Sequence, residues 1–155
     1  MKNLKIWSLL LMAAMVMVGC GDENDTPNGP QTGSLEGLDK EWCILTWDGE
    51  DAPFKVYIDF NSDNTYDMYQ QVESLYFEHF SGNYSVSGDI LTGTYSDGSN
   101  WACGYKASVS EDGMTLTLKS QEDKSITSVY ASTVIPEEVK AEAAGSRAVE
   151  VVPFL

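Results

Sequence analysis

The sequence predicts an all-β domain: an eight-stranded antiparallel up-and-down barrel followed by a short C-terminal helix. Apolar and polar residues alternate with a period of two in run after run, the pattern that gives a strand one buried face and one wetter face. The runs are joined mostly by two to five turn-forming residues, so neighbours in sequence must pair antiparallel. No stretch between them is long enough for a crossover helix. Eight such strands have two common solutions, a closed barrel or a two-sheet sandwich, and the short connections favour the barrel, since a sandwich normally needs longer Greek-key connections. Closure also removes the exposed edges that invite aggregation.

Glu41 to Trp47 is the first strand, apolar on both faces. Asp48-Gly49-Glu50-Asp51 turns the chain, and Pro53 opens the clearest hairpin. Phe54, Val56, Ile58 and Phe60 there alternate with Lys55, Tyr57 and Asp59. Asn61 to Asn64 is the turn, and Thr65 to Val72 returns with Tyr66, Met68 and Gln70 on one face. Glu73 to Glu78 reads as either a loop or a helical turn at the barrel mouth. Phe80 to Val86 places Phe80, Gly82, Tyr84 and Val86 together, Gly88-Asp89 turns, and Ile90 to Tyr95 follows. Ser96 to Ser99 leads into a strand with Trp101, Cys103, Tyr105, Ala107 and Val109 on one face. Met114 to Leu118 and Ser125 to Ile135 complete the eight. Pro136 to Ala144 carries proline and acids in its first turn, with Gly145 after it, as a helix is punctuated. The tail from Ser146 to Leu155 is apolar at Val149, Val151, Val152, Phe154 and Leu155; packing on the barrel and disorder both stay open for it.

The chain's 155 residues leave room for one domain, residues 38–135, with the helix and tail over 136–155. Its 24 acidic residues against nine basic ones give a formal charge of −15, which argues against nucleic acid and against docking on an anionic bilayer by charge alone. Residues 1–19 have the layout of a secretory signal peptide: Lys2 and Lys5, an apolar run from Leu9 to Val18, and Gly19. Met17-Val18-Gly19-Cys20 resembles a bacterial lipobox, which implies lipidation of Cys20 and a membrane anchor without a spanning helix. Residues 20–37 then form a tether rich in Pro and Gly. The acidic run Gly21-Asp22-Glu23-Asn24-Asp25 resembles a surface-export signal of Gram-negative lipoproteins, with a plain solvated tether as its alternative reading. The expected address is the outer membrane, with exposure at the cell surface as one outcome.

From about Leu38 to Ile135 the chain resembles the small bacterial lipocalin-like lipoproteins. The resemblance is carried by Leu38-Asp39-Lys40-Glu41-Trp42, by Ile58 to Tyr66, by Gly82 to Thr92 and by Thr94 to Ser99. It implies a barrel and a small apolar ligand. Eight strands enclose space for packed side chains or one small ligand.

The candidate ligand-binding residues are the large amphipathic set expected to point inward: Tyr66, Met68, Tyr84, Trp101 and Tyr105. A solid core built from the same five is the competing reading. Cys43 and Cys103 remain after lipidation of Cys20, and an extracytoplasmic address permits a disulfide between them. Strand parity sets Cys43 outward and Cys103 inward, so a bulge would be needed to join them. Asp59 to Asn64 matches the opening of a calcium loop, but Asn64 stands where the sharp bend needs Gly and Gln70 where a bidentate Glu is needed. It reads as a hairpin turn. His79 is the only histidine, and no catalytic triad spacing, phosphate loop or nucleophile elbow occurs. No metal, cofactor or enzymatic activity is therefore expected. The functional expectation is a membrane-anchored lipoprotein that binds a small hydrophobic or amphipathic molecule in its barrel. The alternative is a surface adhesin or structural interaction module with a solid, ligand-free barrel.

Overall fold

A computed structural model describes residues 35–145 and 151–155. Among the described residues nine strands are formed: β1 (Glu41–Trp47), β2 (Glu50–Asp51), β3 (Lys55–Phe60), β4 (Thr65–Gln71), β5 (Glu78–Ser87), β6 (Ile90–Tyr95), β7 (Tyr105–Val109), β8 (Thr115–Ser120) and β9 (Thr127–Ser132). The two-residue β2 is a flap on the upper end of β1, folded back through Asp48 and Gly49, both at positive φ as a tight primed turn requires. The other eight pair antiparallel in sequence order, and β9 pairs back onto β1. The predicted closed up-and-down barrel is what the chain forms.

The alternation works as read. Trp42 and Ile44, Val56, Ile58 and Phe60, then Tyr66, Met68 and Gln70 point inward and are buried. Leu91, Ala107, Leu116, Leu118 and Tyr130 complete the ring from the remaining strands. The lower end is shut by the segment before β1: Leu38 is buried, and Trp42 Nε1–H donates to its carbonyl oxygen at 2.9 Å. The helix α1 (Glu137–Gly145) lies outside the wall. Ile135, Val139 and Ala143 pack there on Phe77, Tyr57 and Tyr69, and Lys140 reaches Glu41 at 3.0 Å.

Of the two readings left open for the stretch before β5, the loop is the one formed: residues 72–77 are irregular, with Gln71 Nε2 donating to the Leu75 carbonyl oxygen at 2.7 Å. One detail departs from the expected elements. The seventh strand starts at Tyr105, not Trp101. Gly93 is the reason: a β-carbon there would lie 2.3 Å from the Trp101 ring, so the indole occupies the space a side chain would take. Residues 102–104 therefore leave the ladder: β6 meets β7 only at Ile90–Lys106 and Leu91–Tyr105, and beyond them is joined by the Thr94–Asn100 bridge and by Trp101 N–H donating to the Gly93 carbonyl oxygen at 3.0 Å. A seam opens in the wall above that point.

The turns are held by aspartates. Asp63, Asp97 and Asp123 each accept from the backbone N–H and the hydroxyl of the Thr or Ser two residues on, and Asp112 accepts from Met114 N–H and the Ser110 hydroxyl. Asp63 thus serves the hairpin turn, with Asn64 in the left-handed conformation (φ 65°). These bonds lower all four carboxyl pKa values. A depressed folded-state pKa contributes stability that is present above the unfolded value and is lost as pH falls through the folded one. Asp59 acts in the opposite sense, since burial and then the neighbouring Glu41 raise it. The net expectation is a melting temperature steady from neutral pH down to about pH 5 and falling below about pH 4. Changing all four turn aspartates to asparagine is expected to flatten that fall; an equally steep acid limb would contradict it.

Candidate ligand site at the barrel mouth

The five residues singled out from the sequence do come together inside the barrel. Trp101 Nε1–H donates to Tyr66 Oη at 2.8 Å, and their rings meet edge-on with centroids 5.2 Å apart. Tyr105 lies against Trp101 at 6.2 Å, and Tyr84 Oη donates to the Asn61 carbonyl oxygen at 2.8 Å. Burial pushes the Tyr66 phenol up to about 12 and raises those of Tyr84 and Tyr105 as well, so all three stay neutral hydrogen-bonding groups. Tyr66 and Met68 have no exposed surface, and they are packed against one another's neighbours rather than lining free space. Tyr84 and Trp101 also edge an open groove of about 410 Å³ on the β6–β7 seam, with Asn83, Thr92, Thr94 and Asn100 at its rim.

The opposite end from the Leu38 plug is built differently. Here the mouth is ringed by Trp47 at the top of β1, Phe54 before β3, Gln70 near the end of β4 and Tyr95 at the end of β6. The apolar segment 151–155 sits in it. Phe154 stacks edge-on against Trp47 (4.9 Å) and tilted against Phe54 (5.4 Å), while Leu155 is buried in the main core. Polar groups hold the main chain of this segment. Gln70 Nε2 donates to the Val152 carbonyl oxygen at 2.9 Å, and Phe154 N–H donates to Gln70 Oε1 at 2.7 Å. Tyr95 Oη and Ala102 N–H both donate to the Leu155 carbonyl oxygen, at 2.5 and 3.2 Å. Glu78, opposite Gln70 across β4–β5, is also buried and accepts from Ser74 Oγ at 3.3 Å.

The mouth can therefore hold a small apolar group between Trp47 and Phe54, and it offers a donor and an acceptor from one buried carboxamide. The acidic surface disfavours an anionic occupant. Sequence reasoning set Gln70 on the inner face but attached no role to it. An inward glutamine among aromatics needs partners, because a buried amide without them is costly, and that was the available signal. Trp47, Phe54 and Tyr95 gave no sign of converging, since the pairing of strand ends with the tail is not local in sequence.

The disulfide is not made: Cys43 and Cys103 are both free thiols. Parity is the cause. Cys43 points outward on β1, opposite Tyr57 on β3, and burial raises its pKa. Cys103 lies within 3.3 Å of Ser120 Oγ on the inward side of β8, and the register shift in β1 falls after Cys43, between Ile44 and Thr46. Cys20 and the predicted signal peptide lie outside the described residues.

The lipocalin-like domain family model matches residues 32–116, which spans β1 to β7 and the start of β8. No curated protein and no solved structure matches the chain.

Proposed function

The chain belongs to the lipocalin-like domain family, and from that premise we propose that it is a non-enzymatic binding protein for a small, neutral hydrophobic or amphipathic molecule. The binding site is the mouth ringed by Trp47, Phe54, Gln70 and Tyr95. One observation carries this reading: an apolar segment is already accommodated there, with the buried Gln70 carboxamide spent on holding it rather than on the strand ladder. Tyr66, Met68, Trp101 and Tyr105 form the packed floor beneath the site, not its lining. The test is titration of the purified protein with 1-N-phenylnaphthylamine, a neutral dye that brightens in apolar surroundings. Saturable one-to-one binding that is weakened at least tenfold by Trp47→Ser supports the reading; no saturable binding, or binding indifferent to that substitution, sinks it.

A solid barrel acting as an interaction module is the second reading, favoured by the filled interior and by the exposed Leu75 and Tyr76 on the loop before β5. Absence of dye binding together with retention of the fold is its expected signature.

The address is part of the proposal. Lipidation of Cys20 would anchor the domain at the outer membrane, each buried methylene adding about 0.8 kcal/mol, and residues 21–37 would hold it away from the bilayer. Cys20→Ser is expected to move the protein from the membrane to the soluble fraction; an unchanged membrane fraction would contradict the anchor. Protease added to intact cells tests surface exposure, with full protection counting against it.

A further inference from the structure

We infer that the barrel mouth reads an extended peptide main chain, and that residues 151–155 are its tethered occupant, which any other ligand must displace. The inference rests on the mouth being the ligand site.

The hydrogen-bond pattern is the first ground. The Gln70 carboxamide donates to the carbonyl of Val152 and accepts from the N–H of Phe154, the residues on either side of Pro153. That is the pair of bonds a residue of a parallel strand makes with its neighbour. A side chain here performs the main-chain recognition that strand addition uses elsewhere. Pro153 has no N–H to satisfy, so it costs nothing at the centre of this contact. Side-chain selectivity comes from the aromatic slot between Trp47 and Phe54, which takes Phe154, and from the core below, which takes Leu155. The preferred occupant is an extended segment with an aromatic residue followed by an aliphatic one.

The second ground is that the barrel does not need this segment to close. Strands β1 and β3 to β9 complete their ladder with one another. Among the described residues, the hydrogen bonds to the segment come from two side chains, Gln70 and Tyr95, and from one loop amide, that of Ala102, beside the packing of Phe154 and Leu155. Its release breaks no strand pairing. Val152 is exposed, so the segment enters from the solvent side. It follows α1 in the chain, and this short connection raises its effective concentration at the mouth far above that of a free ligand.

The test compares the full chain with the same chain carrying Phe154→Ser and Leu155→Ser, using a fluorescently labelled peptide of residues 149–155 as the probe. The substituted chain is expected to bind the peptide at least tenfold more tightly than the unsubstituted one, because its own segment no longer competes. Equal affinities, or no binding by a folded substituted chain, would overturn the inference. Amide exchange of the unsubstituted chain decides the matter if the variant does not fold. The Phe154 N–H is expected to exchange at least a hundredfold more slowly than in an unstructured peptide, and to lose that protection when the neutral dye is added. An unprotected Phe154, or one whose protection survives saturation with the dye, would overturn it. The two proposals fail separately. Peptide binding without dye binding keeps the tethered occupant and removes the small-molecule reading. Dye binding of equal strength in both chains, with no peptide binding, does the reverse.

Discussion

Gly82→Ala is expected to destabilise the barrel by about 3–5 kcal/mol, enough to leave much of the protein unfolded at growth temperature. A β-carbon at this position would lie 1.9 Å from the Thr94 carbonyl oxygen and 2.9 Å from Tyr95 Cα. Those atoms are backbone, and Gly82 is paired with Tyr95 across β5–β6 and with Tyr66 across β4–β5. The methyl group can be housed only by prising β6 away from β5, which loses ladder hydrogen bonds between two central strands. Gly98→Ala is the control. Gly98 has a positive φ (87°) but nothing near its would-be β-carbon, so its cost is limited to the left-handed conformation, roughly 1–2 kcal/mol. Urea denaturation of both variants checks the ordering. A Gly82→Ala protein within 1 kcal/mol of the parent would mean that β5 and β6 do not approach as described.

Trp42→Ala is expected to cost about 3–5 kcal/mol as well, for a different reason. Trp42 is fully buried at the lower end of the barrel, paired with Ile58 on one side and Ser132 on the other. Its removal leaves a cavity and takes one of two donors from the Leu38 carbonyl, the Lys40 N–H (2.8 Å) being the other, so the segment that shuts the lower end is held less firmly. For a domain of this size the melting temperature should fall by roughly 15–30 °C. Trp42→Phe retains most of the packing while removing the indole N–H, and about 0.5–1.5 kcal/mol is expected from the lost hydrogen bond, since the Lys40 N–H still donates to the same carbonyl. Thermal melts that place the two variants together would show that the hydrogen bond, not the packing, dominates.

The wall of this protein was legible because its information is local. Alternation from Phe54 to Phe60 and the Asp-Asn-Thr and Asp-Gly-Ser turns state strand, face and reversal within a few residues. Two aspects were not local. Trp101 reads as the first residue of an alternating strand, and only the missing side chain of Gly93 on the neighbouring strand draws it out of the ladder. The tail could be recognised as apolar but not placed, since its partners Trp47, Gln70 and Tyr95 belong to three different strands. Tyr66 and Met68 are interior packing, and the groups that meet the 151–155 segment are Trp47, Phe54, Gln70 and Tyr95.

The most direct test of the mouth as the ligand site is an amide NMR titration of the full chain with 1-N-phenylnaphthylamine. The largest shift changes are expected at Trp47, Phe54, Gln70 and Tyr95, together with the displaced Phe154. Changes confined to Thr92, Thr94 and Asn100 on the seam groove, or no changes at saturating dye, would contradict it.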